Sequence, residues 1–155
     1  MKLVAVIPAY NEEKSIGEVV KNIPKKIEGI KEVRVLVMDD NSKDRTSETA
    51  RKAGADYVVR NKQNLGLGRN FKKGIETALK LGADIIVNID ADGQFNPKDI
   101  PKLVEPILKE EADMVTCSRF LNPEMTRNMP WTKKWGNKRF TNLISRITKQ
   151  RFTDT

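Results

Sequence analysis

The chain has 155 residues, with 29 basic and 21 acidic side chains, one cysteine and no histidine. That length suits one domain with a real core, and 32% charged residues beside ordinary aliphatic content mark a soluble globular class. The lone Cys117 excludes a disulfide framework and a cysteine metal cluster, and the absence of histidine excludes Ser-His-Asp and Cys-His catalysis and His-ligated zinc. Chemistry must then run on carboxylates, backbone amides, Lys and Arg, or a bound metal. The start "MKLVAVIPAY" is basic, but its apolar run stops at Pro8, short of a signal peptide's apolar region. No stretch approaches the ~20 apolar residues of a membrane span.

Short apolar runs alternate with helical stretches, which predicts an α/β fold with a mostly parallel central sheet. "KLVAVIP" (2–8) reads as a first buried strand, and Ile16, Val19, Val20 and Ile23 lie at helical spacing up to Pro24. "VRVLVMDD" (33–40) is a second strand. A helix follows, with Ser42 as a good N-cap and Gly54 as its C′ residue. "ADYVV" (55–59) is a third strand, and 66–82 a helix that stops at Gly82. "DIIVNID" (84–90) is a fourth strand. The next helix has Asn96 as N-cap, Pro97 at N1 and a bend or break expected at Pro106. "DMVTCSR" (113–119) is predicted as a fifth strand. The remainder is a loop and then a basic, aromatic stretch, 131–151, holding Trp131 and Trp135. Residues 1–118 carry 20 basic and 19 acidic groups, whereas 119–155 carry 9 and 2, so +7 of the net +8 belongs to the C-terminal segment.

The unusual residues fall at the carboxyl ends of the strands, where open α/β sheets bind ligands. "DADGQ" offers Asp90 and Asp92 as hard oxygen donors suited to Mg²⁺ or Mn²⁺, Gly93 for a sharp turn and Gln94 as a neutral oxygen. The bland alternative is a solvated turn with aspartate caps. In "PAYNE", Tyr10 can stack on a base and Glu12 can bond a ribose hydroxyl or a base edge. In "DDNSKD", one of Asp39 and Asp40 should face a ligand while the other faces back or caps. In "NLGLGRN", Gly66 and Gly68 open a G-x-G, but Phe71 takes the third glycine's place and no buried strand precedes it, so this is no dinucleotide fingerprint. The glycines instead let backbone approach a neighbouring loop or ligand. Arg119, just past the fifth strand, can neutralise a diphosphate.

Taken in order, "VIPAYNE", "VLVMDDNSKDRT", "NLGLGRN", "DADGQ" and "SRF" resemble family 2 glycosyltransferases, most closely the dolichyl-phosphate mannosyltransferase-like polyprenyl-phosphate enzymes. The resemblance implies a GT-A (Rossmann-like) fold, a nucleotide-diphosphate sugar donor such as GDP-mannose or UDP-glucose, a polyprenyl phosphate acceptor, and Mg²⁺ or Mn²⁺. It implies that Pro8, Tyr10, Glu12, Val37 and Asp39 hold the nucleoside. Asp90, Ala91 and Asp92 would meet the donor, and Asp90, Asp92 and Gln94 the metal. Arg119 would contact the diphosphate or the acceptor phosphate. Asp154, in the closing "TDT", would orient the acceptor or its loop. In the family such a "TDT" is followed by more of the acceptor side, so 1–155 reads as one catalytic domain truncated at its C-terminus, with 120–155 its basic, acceptor- and membrane-facing part.

Sugar transfer of this kind places negative charge on the leaving diphosphate, which a metal at Asp90 and Asp92 would stabilise, with Arg119 as a second positive contact. A polyprenyl phosphate is already anionic near neutral pH, so no general base is needed and in-line attack inverts the anomeric centre. The segment 131–151 suits the cytoplasmic face of a membrane; a core-packing helix with a solvated basic face is its alternative. No nucleic-acid motif accompanies it. Two rival functions remain at this stage: a haloacid dehalogenase-like phosphotransferase with Asp90 as nucleophile, and a non-catalytic nucleotide-sugar binding module.

Overall fold

A computed structural model describes residues 1–118, 120, 126–127 and 129–154. Contacts divide the chain into two units, Met1–Lys109 and Glu110–Thr155.

In the first unit the apolar runs become four strands: β1 (Lys2–Ala9), β2 (Glu32–Asp39), β3 (Tyr57–Arg60) and β4 (Ile85–Asn88). They pair in parallel in the order β3-β2-β1-β4. The helices are α1 (Ile16–Asn22), α2 (Thr46–Lys52), α3 (Leu67–Lys80) and α4 (Ile100–Leu108), the last entered through a 3-10 turn, Pro97–Asp99. Alternate residues of β1 face opposite layers, as strand geometry requires. Leu3, Ala5 and Ile7 pack with Val35 and Val37 against Val19 and Val20 of α1 and Ile100 and Val104 of α4. Val4 and Val6 pack with Leu36 and Met38 against Ala78 of α3. Helix α3 lies so close to the sheet that a Cβ on Gly74 would stand 2.7 Å from Val6 Cγ1.

Local signals set most of the boundaries. Gly54 (φ 95°) and Gly82 (φ 78°) follow α2 and α3 in the left-handed region, where a side chain is strained. Asn96 Oδ1 accepts from the Lys98 amide at 3.1 Å and Pro97 stands at the first position of its turn, as expected. Helix α4 continues through Pro106 and ends shortly after, at Leu108. Ser42 is no helix cap: α2 begins at Thr46, and its N-cap residue, Arg45, makes no side-chain cap bond.

Pairing of β1 with β4 stops at Val6↔Asn88, while pairing with β2 continues to Ala9↔Asp39. Val6 O accepts from the Ile89 amide on the β4 side, and Ala9 O accepts from the Asp40 amide on the β2 side. Backbone groups alternate between flanks, so Pro8, two residues beyond Val6, turns its backbone to the β4 side, where no strand of the described residues lies opposite. It has no N–H to strand there.

In the second unit the predicted fifth strand does not form. Asp113–Ser118 has no regular structure, and Met114 is 74% exposed. Its apolar residues are few, and among the described residues no neighbouring strand pairs with it. A strand needs that partner for its backbone groups. Helix α5 (Trp131–Thr148) occupies most of the basic segment.

Candidate active site

The chain winds from β1 outward to β2 and β3, then returns to β4 on the other side of β1. The β1/β4 boundary is therefore the topological switch point, and the crevice at the carboxyl ends of these strands is the expected ligand site. Two sequence-singled loops flank it, Pro8–Glu12 after β1 and Asp90–Gln94 after β4.

The β4 loop keeps the strand's period of two beyond its last paired residue. Ile89 and Ala91 are buried in the core layer, and Asp90 and Asp92 between and after them are exposed. Both carboxylates thus emerge on one side of the loop. Asp92 Oδ1 accepts from the Gln94 amide at 2.9 Å, and Gly93 takes φ 76°, which turns the chain sharply. Phe95 packs on the core and anchors the loop's far end. Gln94 is exposed beside it.

The loop after β1 is bound to the loop after β2 by five cross-loop hydrogen bonds. The Asn11 amide donates to Ser42 Oγ at 2.9 Å, the Lys43 amide to Asn11 Oδ1 at 2.8 Å, and the Glu12 amide to Thr46 Oγ1 at 2.8 Å. The Glu13 amide donates to Asp44 Oδ2 at 3.1 Å, and the Arg45 amide returns to Glu13 Oε2 at 3.0 Å. Burial would push the Asp44 carboxyl up, but hydrogen bonds from Thr46 and the Glu13 amide leave it below its ordinary value. Glu12 Oε2 accepts from Ser15 Oγ at 2.7 Å, and Tyr10 stands 43% exposed at the rim.

Both members of the Asp39–Asp40 pair turn inward. Asp39 is fully buried; its Oδ1 accepts from the Ser42 amide at 2.8 Å and its Oδ2 from the Ser47 hydroxyl. Asp40, 3% exposed, takes the Leu65 amide (2.8 Å) and Asn61 Nδ2 (2.8 Å) on Oδ1, and the Gly66 amide (2.9 Å) on Oδ2. Each side chain gathers the N–H groups of a tight loop, the facing-back or capping role expected of one of the two. Gly66, at φ 80°, brings its amide onto Asp40 of a neighbouring loop, as expected; a Cβ on Gly68 would meet nothing within 4 Å.

Polar residues that the sequence does not single out complete this network. Asn61 Nδ2 also donates to Asn70 Oδ1 at 2.8 Å, Asn70 Nδ2 to Met38 O at 2.8 Å, and Lys73 Nζ to Asn61 Oδ1 at 2.6 Å. Asn70 lies at a buried position of α3, one step off its apolar residues; that was the available signal.

In the second unit, a cleft of about 950 Å³ runs along α5 and is lined by Lys134, Lys138, Thr141, Arg146 and Arg151 among others. The chain after α5 folds back along it: the Phe152 amide donates to Ser145 Oγ at 3.0 Å and Thr153 Oγ1 to Ser118 Oγ at 2.7 Å. Asp154 is half-buried next to Thr153. Trp131 (75%), Trp135, Leu143 and Ile147 (72%) are exposed at intervals of four or eight along α5, and the Arg139 guanidinium lies 4.8 Å from the centre of the Trp135 ring. Arg119 lies outside the described residues.

Parallel strands in the order 3-2-1-4, helices on both faces and an acidic turn at the switch point define a GT-A-like α/β protein. The chain belongs to glycosyl transferase family 2, whose model matches residues 4–155. It is 36% identical to the UDP-N-acetylglucosamine–dolichyl-phosphate N-acetylglucosaminyltransferase of Methanococcus voltae, over 85% of this chain and 57% of that protein. It is 34% identical to the dolichol-phosphate mannosyltransferase of Pyrococcus furiosus, over 86% of this chain and 38% of that protein. A glucosyl-3-phosphoglycerate synthase from Mycobacterium tuberculosis, solved with Mn²⁺, UDP-glucose and phosphoglyceric acid, superposes with a TM-score of 0.56 at 30% identity. That match covers 71% of this chain and 40% of the other. The chain spans about half the length of the curated relatives it first matches. Family membership, and the place of the acidic turn after β4, set aside the phosphotransferase alternative.

Proposed function

We propose that this chain carries the donor side of a glycosyltransferase that moves a sugar from a nucleotide-diphosphate sugar to a polyprenyl phosphate, with Mg²⁺ or Mn²⁺ held by Asp90, Asp92 and Gln94. The observation that carries this reading is the alternation at the switch point: Ile89 and Ala91 inward, Asp90 and Asp92 outward. A two-carboxylate turn fits these ions, which keep several positions for water and phosphate. Among the described residues no three or more Asp, Glu or Cys side chains gather into a larger ligand set, so donor phosphate oxygens would complete the shell.

Pro8 and Val37, buried near the ends of β1 and β2, and Asp39 form the floor for the nucleoside. Tyr10 stacks on the base, and Glu12 reaches the ribose. When bound, the ion stabilises the charge that develops on the departing diphosphate. Arg119 supplies a second positive contact, and Asp154 orients the acceptor. The acceptor phosphate is already an anion, so no side chain must take a proton, which suits a chain without histidine. The basic segment 131–151 rests on anionic lipid at the cytoplasmic face of a membrane, where a polyprenyl phosphate resides. The relatives' names carry different sugars, so they support the donor class rather than one sugar.

Calorimetry with GDP-mannose, UDP-glucose and UDP-N-acetylglucosamine, with and without Mn²⁺, tests the reading. The wild-type chain binds one donor in a Mn²⁺-dependent manner, and Asp92→Ala abolishes that dependence. Equal Mn²⁺-dependent binding by the variant overturns the metal assignment.

A further inference from the structure

We propose that Arg60 selects the base of the donor: its guanidinium donates to a carbonyl oxygen on the base edge, favouring uracil and guanine over adenine. This rests on the nucleotide-sugar reading above and adds a residue and a selectivity to it.

Arg60 ends β3 and stands in register with Asp39 at the end of β2. One edge of its side chain is fixed. Nη2 donates to Ser42 O at 2.6 Å, and Nε lies 3.9 Å from Asp39 Oδ2. Those partners belong to a rigid turn, since Asp39 is itself held by Ser42 and Ser47. The Arg60 side chain is nevertheless half exposed, while that of Asp39 is fully buried. Of this pair at the strand ends, Arg60 is therefore the member a ligand meets first. A guanidinium carries five N–H groups, and the two fixed contacts engage a minority of them.

The distance across the sheet agrees. Neighbouring strands lie about 4.8 Å apart, so β4 and β3 are separated by about 14 Å. A nucleoside diphosphate with its phosphates at Asp90 and Asp92, laid across the ends of β1 and β2, brings its base to the β2–β3 edge. Arginine donates and never accepts. Uracil and guanine present a carbonyl oxygen on the pairing edge, where adenine presents an amino group, and a donor facing a donor is a repulsive element that discriminates.

A residue that merely staples the β2–α2 turn would lower stability or weaken all nucleotides alike. Calorimetry with UDP, GDP and ADP in the presence of Mn²⁺ separates the two, using the wild-type chain and Arg60→Met, which keeps a long side chain without its donors. The wild type binds UDP or GDP at least about tenfold more tightly than ADP. Arg60→Met weakens the favoured nucleotide by about ten- to hundredfold, the loss of a charged hydrogen bond, and leaves ADP nearly unchanged. An unchanged ratio, or equal weakening of all three, overturns the inference. If Arg60→Met fails to melt cooperatively, Arg60→Gln, whose amide can accept as well as donate, gives the same reading: a narrowed gap supports selection and an unchanged gap refutes it. A wild type that binds nucleotides without disfavouring ADP sinks this inference alone; one that binds no nucleotide sinks the donor reading with it.

Discussion

The amide of Asn11 donates to the hydroxyl of Ser42 at 2.9 Å, across 31 residues of sequence. This bond and its four neighbours make the loops after β1 and β2 a single body. Asn11 holds φ 57° within it, a conformation asparagine tolerates better than most residues. Ser42→Ala leaves that amide without its partner and costs about 1–3 kcal/mol. Urea denaturation reads the loss, and donor affinity falls with it because Tyr10 and Glu12 ride on the same loop. A midpoint equal to wild type would show that the loops hold together without this bond.

Two glycines of α3 respond in opposite directions to the same substitution. Gly74→Ala gains up to about 1 kcal/mol of helix propensity. It also drives a methyl to 2.7 Å from Val6 Cγ1 and 3.2 Å from Met38 Cγ, both in a packed layer. Overpacking of about 1–3 kcal/mol wins, so the variant is less stable. Gly68→Ala meets nothing within 4 Å and raises the melting temperature slightly. Thermal melts of the two variants side by side test the close approach of α3 to β1.

Acid weakens the opposite end of the sheet. Burial tends to raise the Asp56 carboxyl. Hydrogen bonds from Arg34 (2.8 Å) and the Val35 amide (2.8 Å), with the charges of Lys25 and Arg34, bring it below its ordinary value. The folded state then binds this proton less readily than the unfolded chain. Its contribution is complete above the unfolded value, about pH 4, and fades as pH falls through the depressed folded value. Urea midpoints from pH 6 to 2.5 should decline more steeply in wild type than in Asp56→Asn. Parallel declines would remove Asp56 from the account.

Helix α5 should carry the chain onto anionic lipid. Residues 119–155 hold nine basic and two acidic groups, and Trp131, Trp135, Leu143 and Ile147 are exposed along α5. In flotation assays the protein should follow phosphatidylglycerol vesicles and ignore phosphatidylcholine. Added salt, or the pair Trp131→Ala and Trp135→Ala, should reduce binding several-fold. Equal affinity for neutral vesicles would point away from an electrostatic surface.

Strands β1 and β2 were readable because each is an apolar run buried on both faces, and β4 because Ile85–Val87 is a short apolar run with Ile85 and Val87 in the core. The acidic turn was readable because it continues the strand's alternation, which is local. Asn61, Asn70, Thr46 and Ser47 were not: a buried polar residue resembles a surface one until its partner is known, and Asn70 Nδ2 finds Met38 O 32 positions away. Ser42 misled for the same reason, since its hydroxyl serves Asn11 rather than the helix that follows it. The segment 113–118 misled differently, because its few apolar residues stay exposed or half-buried and, among the described residues, pair with no strand.

Pro8 has a consequence for how the sheet meets other polypeptides. Beyond Val6, one flank of β1 has no strand beside it among the described residues, the kind of opening through which a stray peptide can zip onto a sheet. Pro8 blocks that trespass, because an intruding strand would find no donor to pair with at the decisive rung. The notch thus stays closed to backbone, and an alanine in that place would make the same gap a nucleus for aggregation.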